Sequence, residues 1–230
     1  MVIKLTTEAH DRIAMAIAAA EARTSGEIFC VLARRVSSYQ DVSLAWAAAA
    51  ALILPLALIP LGFEPAWIPG FANGWEAAHM AAREVSLGQA LGAYALIQAL
   101  VFLTVYLLTR LPVVTRWVTP RAVRRARVRD AAVQQFLAHG LHVTEARTGV
   151  LIFAALGDHQ VEVVADKGIH TQVDQSVWGD AAEALSQGLK HDDPAGGFEA
   201  AVRLCGEVLA KHFPPGSDNP NEVIDRLVVI

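Results

Sequence analysis

The distribution of apolar residues divides the chain into two segments of ordinary amphipathic pattern and a middle that is almost uninterruptedly apolar. From Val42 to Phe63 there are 22 consecutive uncharged residues, and from Val85 to Thr109 there are 25. At about 1.5 Å per residue, helices of these lengths reach roughly 33 and 37 Å, more than a hydrocarbon core of about 30 Å. We therefore predict two transmembrane helices, 42–63 and 85–109, joined by an outer loop, 64–84.

On either side of this middle, short periodic patterns predict an α/β fold. Before it, apolar residues at helical spacing over 8–23 precede a short apolar strand, 27–33. After it, the pattern predicts a helix that ends at Gly140, strands 150–156 and 161–165 joined by a turn, helices over 173–189 and 196–212, and an extended piece within 223–230.

The lone strand 27–33 needs partners, because a single strand leaves its backbone groups unpaired. The candidates are 150–156 and 161–165, which lie beyond both predicted spans. A helix–strand order repeated twice and followed by a hairpin predicts two parallel neighbours and one antiparallel neighbour. We expect 1–41 and 130–230 to fold as one domain, a small mixed sheet with helices on its faces, interrupted by a two-helix transmembrane hairpin.

A repeated phrase accompanies this order. The letters EARTSG at 21–26 and EARTG at 145–149 each link a predicted helix to a predicted strand. The repeat suggests that the two linkers occupy equivalent places in the domain.

Charge is distributed unevenly and sets the orientation. The chain is 54% hydrophobic and 18% charged, against about 25% charged in a typical soluble domain, which excludes a disordered chain. Seven basic and no acidic residues lie in 85–129, whereas the outer loop has one basic residue. The positive-inside rule then places both termini in the cytoplasm. Segment 130–230 has six basic and fifteen acidic residues.

The Arg-rich segment 110–129 follows the second span directly, so anionic lipid headgroups are the expected partner. Nucleic acid is not expected, because binding would favour interleaved aromatic residues and only Trp117 is present. Trp46 and Trp117 are predicted to lie at the membrane interface. The lipid-facing arginines are Arg110, Arg116, Arg121, Arg124 and Arg125.

Gly88 and Gly92 form a GxxxG spacing early in the second span, typical of close helix packing. The spacing favours either a dimer face or packing against the alanine-rich first span. Neither span contains a charged residue, which disfavours a proton or ion path.

Several phrases together resemble the TPM-domain family. They are EARTSGEIFCV at 21–31, ARTGVLIFAAL at 146–156, VEVVADKGIH at 161–170, the tryptophan at 178 and DNPNE at 218–222. The resemblance is to a bacterial membrane subgroup with two transmembrane helices inserted in the domain. It implies a bacterial inner-membrane protein, whereas better-known members enter the lumen or periplasm behind a signal peptide.

The resemblance also implies a candidate site. Divalent-cation binding, with Ca²⁺ or Mg²⁺ as cofactor, and phosphatase activity are attributed to the family. The matching acids are Glu27, Asp166, Asp218 and Glu222, and carboxylate oxygens suit hard cations. Phosphate would be held by Arg23 and Arg147, with His170 as proton donor. The competing interpretation is that these are surface ion pairs and a strand-ending turn.

Two functions are therefore carried forward. The first is a membrane-anchored module that binds a membrane protein partner in the assembly or maintenance of membrane complexes. The alternative is a divalent-cation-dependent phosphatase. The sequence contains no Walker loop, HExxH pair or GxSxG elbow, which favours the first.

Overall fold

A computed structural model describes residues 6–58, 87–144, 146–216 and 221–230. The chain divides into two compact units, which we call the sheet unit (1–37 with 121–230) and the hairpin unit (38–120). The helices are α1 (Thr7–Glu21), α2 (Gln40–Leu58), α3 (Leu87–Thr109), α4 (Pro112–Val118), α5 (Arg121–Ala138), α6 (Lys167–His170), α7 (Gly179–Lys190) and α8 (Pro194–His212). The strands are β1 (Glu27–Ala33), β2 (Gly149–Ala155), β3 (Gln160–Ala165) and β4 (Leu227–Val229).

The sheet is four-stranded and mixed, in the order β3-β2-β1-β4. β1 pairs with β2 in parallel, with Glu27 opposite Gly149 and Ala33 opposite Ala155. β2 pairs with β3 in the antiparallel sense. The predicted mixed sheet and the predicted partnership of β1 with β2 are therefore confirmed, although more than a hundred residues separate the two strands in the chain.

One predicted neighbour was wrong. β1 does not pair with 161–165, because β3 follows β2 after a short turn and occupies the far edge of β2. The other edge of β1 is taken by β4, which lies parallel to it, with Cys30 opposite Leu227. The extended piece predicted within 223–230 thus completes the sheet.

Each face of the sheet is covered by helices. Ile13 of α1, Leu185 of α7 and Phe198 of α8 pack on one face, against alternate residues of β1 such as Cys30. α5 packs on the other face through Val128, Ala132 and Phe136. All residues of β1 and β2 are buried, as expected for strands covered on both faces.

Two short elements of the sheet unit were not predicted. The helix expected over 173–189 is interrupted, because the Asp174 carboxylate accepts the Ser176 N–H (2.8 Å) and starts a 3-10 turn at 175–178. α7 then begins at Gly179. Upstream, Asp166 caps the one-turn helix α6.

In the described residues 38–58 and 87–120, the hairpin unit contains two antiparallel helices, α2 and α3, and the short helix α4. The Ser43 hydroxyl donates to the Thr109 carbonyl (3.4 Å), and the Tyr94 hydroxyl donates to the Pro55 carbonyl (3.5 Å). The first contact joins the start of α2 to the end of α3. The second joins the later part of α2 to the early part of α3. Pro55 lies inside α2, whereas the rest of the predicted first span, with Pro60, lies outside the described residues.

Candidate functional site

The repeated linkers lie side by side at one end of the sheet. The Thr148 hydroxyl donates to the Ser25 carbonyl (2.8 Å), and the Glu27 N–H donates to the Thr148 carbonyl (3.3 Å). The Thr24 hydroxyl donates to the Phe213 carbonyl (2.6 Å). We call this end, formed by 21–27 and 146–149, the linker edge. The repeat therefore marks two neighbouring helix-to-strand connections.

Glu27 begins β1 at the linker edge and is buried. Its Oε2 accepts the Val223 N–H at 3.1 Å, so the carboxylate holds the segment 221–226 that leads into β4. Burial raises the pKa of Glu27, and backbone N–H donors from Glu222 and Val223 oppose that shift. Glu27 is thus bonded to the backbone and is not the exposed half of an ion pair.

Asp166 lies at the same end of the sheet. Its Oδ1 accepts the Lys167 N–H (2.6 Å) and caps α6, while its own N–H donates to the Gly149 carbonyl (2.9 Å). Its Oδ2 is buried and has no hydrogen-bond partner among the described residues. This orphaned oxygen is what a bound cation or water would satisfy.

Gly149 separates the two acids. It is opposite Glu27 in β1 and bonded to Asp166, so the backbones of the acids lie two strand spacings apart, roughly 10 Å. A Cβ on Gly149 would lie 2.4 Å from the Leu141 carbonyl. That carbonyl therefore packs over the gap, and only glycine fits beneath it.

The predicted cation ligands are partly brought together. Among the described residues, no group of three or more His, Cys, Asp or Glu side chains is arranged to hold a metal ion. Glu222 lies beside Glu27 on the exposed segment 221–226, and Asp218 lies outside the described residues. The cation site therefore stays a hypothesis, with Glu27 and Asp166 at one edge.

Sequence reasoning missed two acidic residues near Glu27, namely Glu21 and Asp225. Glu21, the last residue of α1, is buried, and its Oε1 accepts the Ile28 N–H at 2.7 Å. Burial is the main cause that raises the pKa of Glu21 to about 9, followed by the charges of Glu27 and Asp225 and a side-chain hydrogen bond with Asp225. The signal available in the sequence was the position of Glu21 at the start of the repeated phrase.

The predicted phosphate ligands lie at the linker edge with exposed side chains. Arg23 follows α1, and Arg147 precedes β2 with a left-handed backbone (φ 53°). The Arg147 carbonyl packs so closely on Gly168 that a Cβ there would approach it to 2.5 Å. His170, the predicted proton donor, is the exposed last residue of α6.

The arginines predicted to face lipid have different surroundings. Arg125 and its helical neighbour Arg129 lie 3.8 and 3.5 Å from the carboxylate of the largely buried Glu162. Arg124 is half-buried, and Arg121 is exposed at the start of α5. In the hairpin unit, the remaining members, Arg110 and Arg116, are exposed.

The predicted interface tryptophans are exposed in the hairpin unit. Trp46 is 50% exposed and Trp117 is 85% exposed. The Trp46 indole N–H donates to the Val118 carbonyl at 3.0 Å. Of the GxxxG pair, Gly88 lies in α3 and Gly92 is exposed, while its neighbour Ala93 is fully buried. Ala93 therefore lies in the packed interior of the hairpin unit, whereas Gly92 lies on its exposed surface.

Comparison with known proteins agrees with the resemblance noted from the sequence. Residues 113–208 match the family model of the TPM domain. The fold is also similar to the NMR structure of the BA42 protein from the psychrophilic bacterium Bizionia argentinensis, with a TM-score of 0.54, 18% identity and coverage of 98% of this chain and 95% of that chain. No curated protein matches the sequence.

The matched TPM residues include α5, β2, β3, α6 and α7. They contain three of the phrases that suggested the family, namely 146–156, 161–170 and Trp178, whereas 21–31 and 218–222 lie outside. Yet the central strand β1 and the edge strand β4 belong to the same sheet. The sheet that contains the matched strands β2 and β3 is therefore completed by strands from both sides of the matched residues.

Proposed function

We propose that this TPM-domain protein is anchored in a bacterial inner membrane by the α2–α3 hairpin, with its sheet unit on the cytoplasmic face, and that it binds a membrane protein partner there. The observation that carries the anchoring is the exposure of apolar side chains. Gln40–Ala57 and Leu91–Thr109 are long and apolar enough to cross a membrane, yet only 22% and 6% of these residues are buried.

This low burial distinguishes the hairpin from a core helix of a soluble protein, whose apolar side chains would be covered by protein. Exposed leucines occur along both helices, among them Leu52, Leu56, Leu100, Leu103 and Leu107. In water such a surface would strongly favour association, whereas hydrocarbon chains solvate it. A bilayer is the environment that suits this surface.

The cytoplasmic orientation is supported by the arginines that follow α3 and by their scarcity in the predicted outer loop. It is testable by labelling with a membrane-impermeant maleimide, because the native Cys30 and Cys205 are fully buried. A cysteine at Met15, 63% exposed in α1, should react in inverted vesicles, and one at Asn73 in right-side-out vesicles. Reaction of both from the same side would contradict the hairpin topology.

The partner-binding role is supported by the chemistry of the sheet unit. Glu27 is engaged with the backbone of 221–226, and the spans contain no charged residue that would mark a transport path. The acidic excess of 130–230 suits a partner with a basic surface. Affinity purification of the tagged chain from detergent extract should recover a stoichiometric membrane protein that is absent from the untagged control. Its absence at low ionic strength would contradict the role.

A cation-dependent phosphatase is the second candidate, favoured by the orphaned buried Oδ2 of Asp166. Phosphate release from p-nitrophenyl phosphate with Mg²⁺ or Ca²⁺ tests it. Asp166→Asn should then reduce the rate at least about tenfold, since a metal ligand contributes several kcal/mol of transition-state stabilisation. Asp174→Asn, which changes another capping aspartate, is the matched control. Equal rates in both variants would exclude Asp166 as a ligand.

A further inference from the structure

The short helix α4 is tied to the end of the hairpin where α2 begins and α3 ends. The Thr115 hydroxyl donates to the Thr109 carbonyl at 2.5 Å, and the Ser43 hydroxyl donates to the same carbonyl. About one turn further along α2 and α4, the Trp46 indole N–H donates to the Val118 carbonyl at 3.0 Å. Three helices therefore meet at one end of the hairpin unit.

These contacts require α4 to turn back across that end. If α4 continued α3 coaxially, Val118 would lie about 14 Å beyond Thr109, because nine residues of helix rise by about 1.5 Å each. Ser43 lies beside Thr109, and Trp46 lies three residues further into α2. Trp46 is therefore displaced from Thr109 in the direction opposite to a coaxial continuation of α3. An indole cannot span that separation. The turn is made at Leu111, which is extended (φ −66°, ψ 131°), with Pro112 starting the new helix.

The outward surface of α4 is apolar. Val113 and Trp117 are four residues apart, so they share one helix face, and they are 70% and 85% exposed. Val114 and Val118 are less exposed. A seven-residue helix that presents a valine and a tryptophan outward while resting on the hairpin end has the amphipathic character of an interfacial helix.

Positive charge adjoins this apolar face. The Arg110 guanidinium donates to the Tyr106 hydroxyl (2.8 Å) and lies 5.6 Å from the Tyr106 ring centroid, so it is held at the end of α3. Arg116 precedes Trp117 and is exposed. Guanidinium groups beside exposed tryptophan match the chemistry of a bilayer headgroup layer that contains anionic phospholipid.

We propose that α4 is an interfacial helix that lies in the headgroup layer, inserts Val113 and Trp117 below the phosphates and binds anionic headgroups through Arg110 and Arg116. The inference rests on the proposed membrane anchoring. It adds the depth of α4 in the bilayer and the class of lipid that binds beside it. A bilayer is preferred to a protein partner because the apolar face of α4 is continuous with the exposed leucines of α3, through Leu107, Leu108 and Leu111.

Depth-dependent quenching tests the position of α4. The full chain is labelled with a nitrobenzoxadiazole fluorophore at Val113→Cys, Leu103→Cys or Met15→Cys and reconstituted in vesicles of phosphatidylcholine and phosphatidylglycerol. Nitroxide lipids carry the quencher at the headgroup, high on the acyl chain or deep. We expect Val113 to be quenched most by the shallow acyl nitroxide, Leu103 by the deep one and Met15 by none. Trp117→Gln should move the Val113 label towards the headgroup.

The outcomes separate the two proposals. A deeply quenched Leu103 with an unquenched Val113 would overturn the interfacial helix and leave the anchoring intact. An unquenched Leu103 would overturn the anchoring itself. A Val113 label that is shielded from water but not quenched by any lipid would indicate a protein contact, which also overturns the inference.

The headgroup contact has its own test. Motional restriction of spin-labelled phosphatidylglycerol, compared with spin-labelled phosphatidylcholine, measures the preference of the protein for the anionic lipid. Arg110→Gln with Arg116→Gln should lower that preference several-fold in the full chain. Arg203→Gln, which removes an exposed arginine from α8 in the sheet unit, should leave it unchanged. An unchanged preference in the double variant would overturn the assigned role of the arginines.

Discussion

Most of the described leucine side chains in the sheet unit are buried, whereas those in the hairpin unit are exposed. Leu151 in β2 is fully buried, whereas Leu103 in α3 is 53% exposed. Most of the buried residues within α2 and α3 are small, among them Ser43, Ala47, Ala51 and Ala93. The sheet unit therefore buries large apolar side chains of a kind that the hairpin unit leaves exposed.

Under the proposed membrane anchoring, the difference reflects two solvents. In water, burial of apolar area is the main favourable contribution to folding, at about 25 cal/mol per Å². In hydrocarbon that contribution is absent, so helices associate through close contact of small residues and through interhelical hydrogen bonds. The Ser43–Thr109 and Tyr94–Pro55 contacts are bonds of this kind.

The largest effect should come from matched leucine truncations. Leu151→Ala should lower the free energy of opening of β2 by about 2–5 kcal/mol, because it leaves a cavity in a packed core. Leu103→Ala should change the hairpin by no more than about 0.5 kcal/mol, as an exposed position does. Amide hydrogen exchange of both units in detergent measures each change. A large cost at Leu103 would show that its face is packed against protein.

The next effect concerns Glu21 and depends on pH. Its pKa is raised to about 9 in the folded chain, mainly by burial, against about 4.3 in an unfolded chain. Between these values the folded state binds more protons, so stability is greatest at low pH and falls as pH rises, by up to about 1.4 kcal/mol per pH unit.

Glu21→Gln should remove this slope, because the amide keeps an acceptor for the Ile28 N–H and carries no charge. The variant should be more stable than the native chain at pH 8 and closer to it at pH 5, as measured by urea unfolding of the sheet unit. Glu183→Gln, on the exposed surface of α7, is the control. A native chain that gains stability between pH 5 and 8, with Glu21→Gln unchanged, would refute the assignment.

A moderate effect is expected where Glu27 holds the segment 221–226. Glu27→Ala should destabilise β4 by about 1–3 kcal/mol, because the half-buried Val223 N–H loses its acceptor. Glu27→Gln retains an oxygen acceptor and should cost less. Exchange of the amides in 223–230 reports the difference. Exchange in both variants as slow as in the native chain would mean that the carboxylate contributes nothing to holding this segment.

The smallest effect concerns α4. Trp46→Phe removes the bond to the Val118 carbonyl and should destabilise α4 by about 1 kcal/mol. Trp117→Phe keeps an aromatic ring on the same face, and the Trp117 indole donates no hydrogen bond to another of the described residues. Faster amide exchange over 113–119 in Trp46→Phe than in Trp117→Phe is the expected result. The reverse order would contradict the folded-back position of α4.

Strong periodic patterns were sufficient for most of the fold. The buried strands at β1, β2 and β3 and the mixed sheet were predicted, because apolar runs bounded by turn residues are local signals. The pairing of β4 with the second edge of β1 was not predicted, since strand order depends on contacts between residues far apart in the chain. α6 and the 3-10 turn depend on single capping aspartates, which also suit an ordinary turn.

The candidate site was predicted less completely. The sequence located Glu27 and Asp166, and the structure places them on one edge with Gly149 between them. The sequence could not indicate that Glu21 is buried, because Glu21 occupies a polar position in the helical pattern of α1, like its exposed neighbours. Only the packing of α1 against β1 removes that side chain from water.

By itself, the amino-acid sequence determined which segments are apolar enough to leave water and where positive charge accumulates, because hydropathy and charge are properties of the residues. The tertiary structure alone decided that Thr148 bonds to Ser25, that β4 completes the sheet beside β1 and that α4 folds back to Trp46. Each of these contacts joins parts of the chain that have no local relation. Their free energy exists only once the remaining elements have brought them within hydrogen-bond distance.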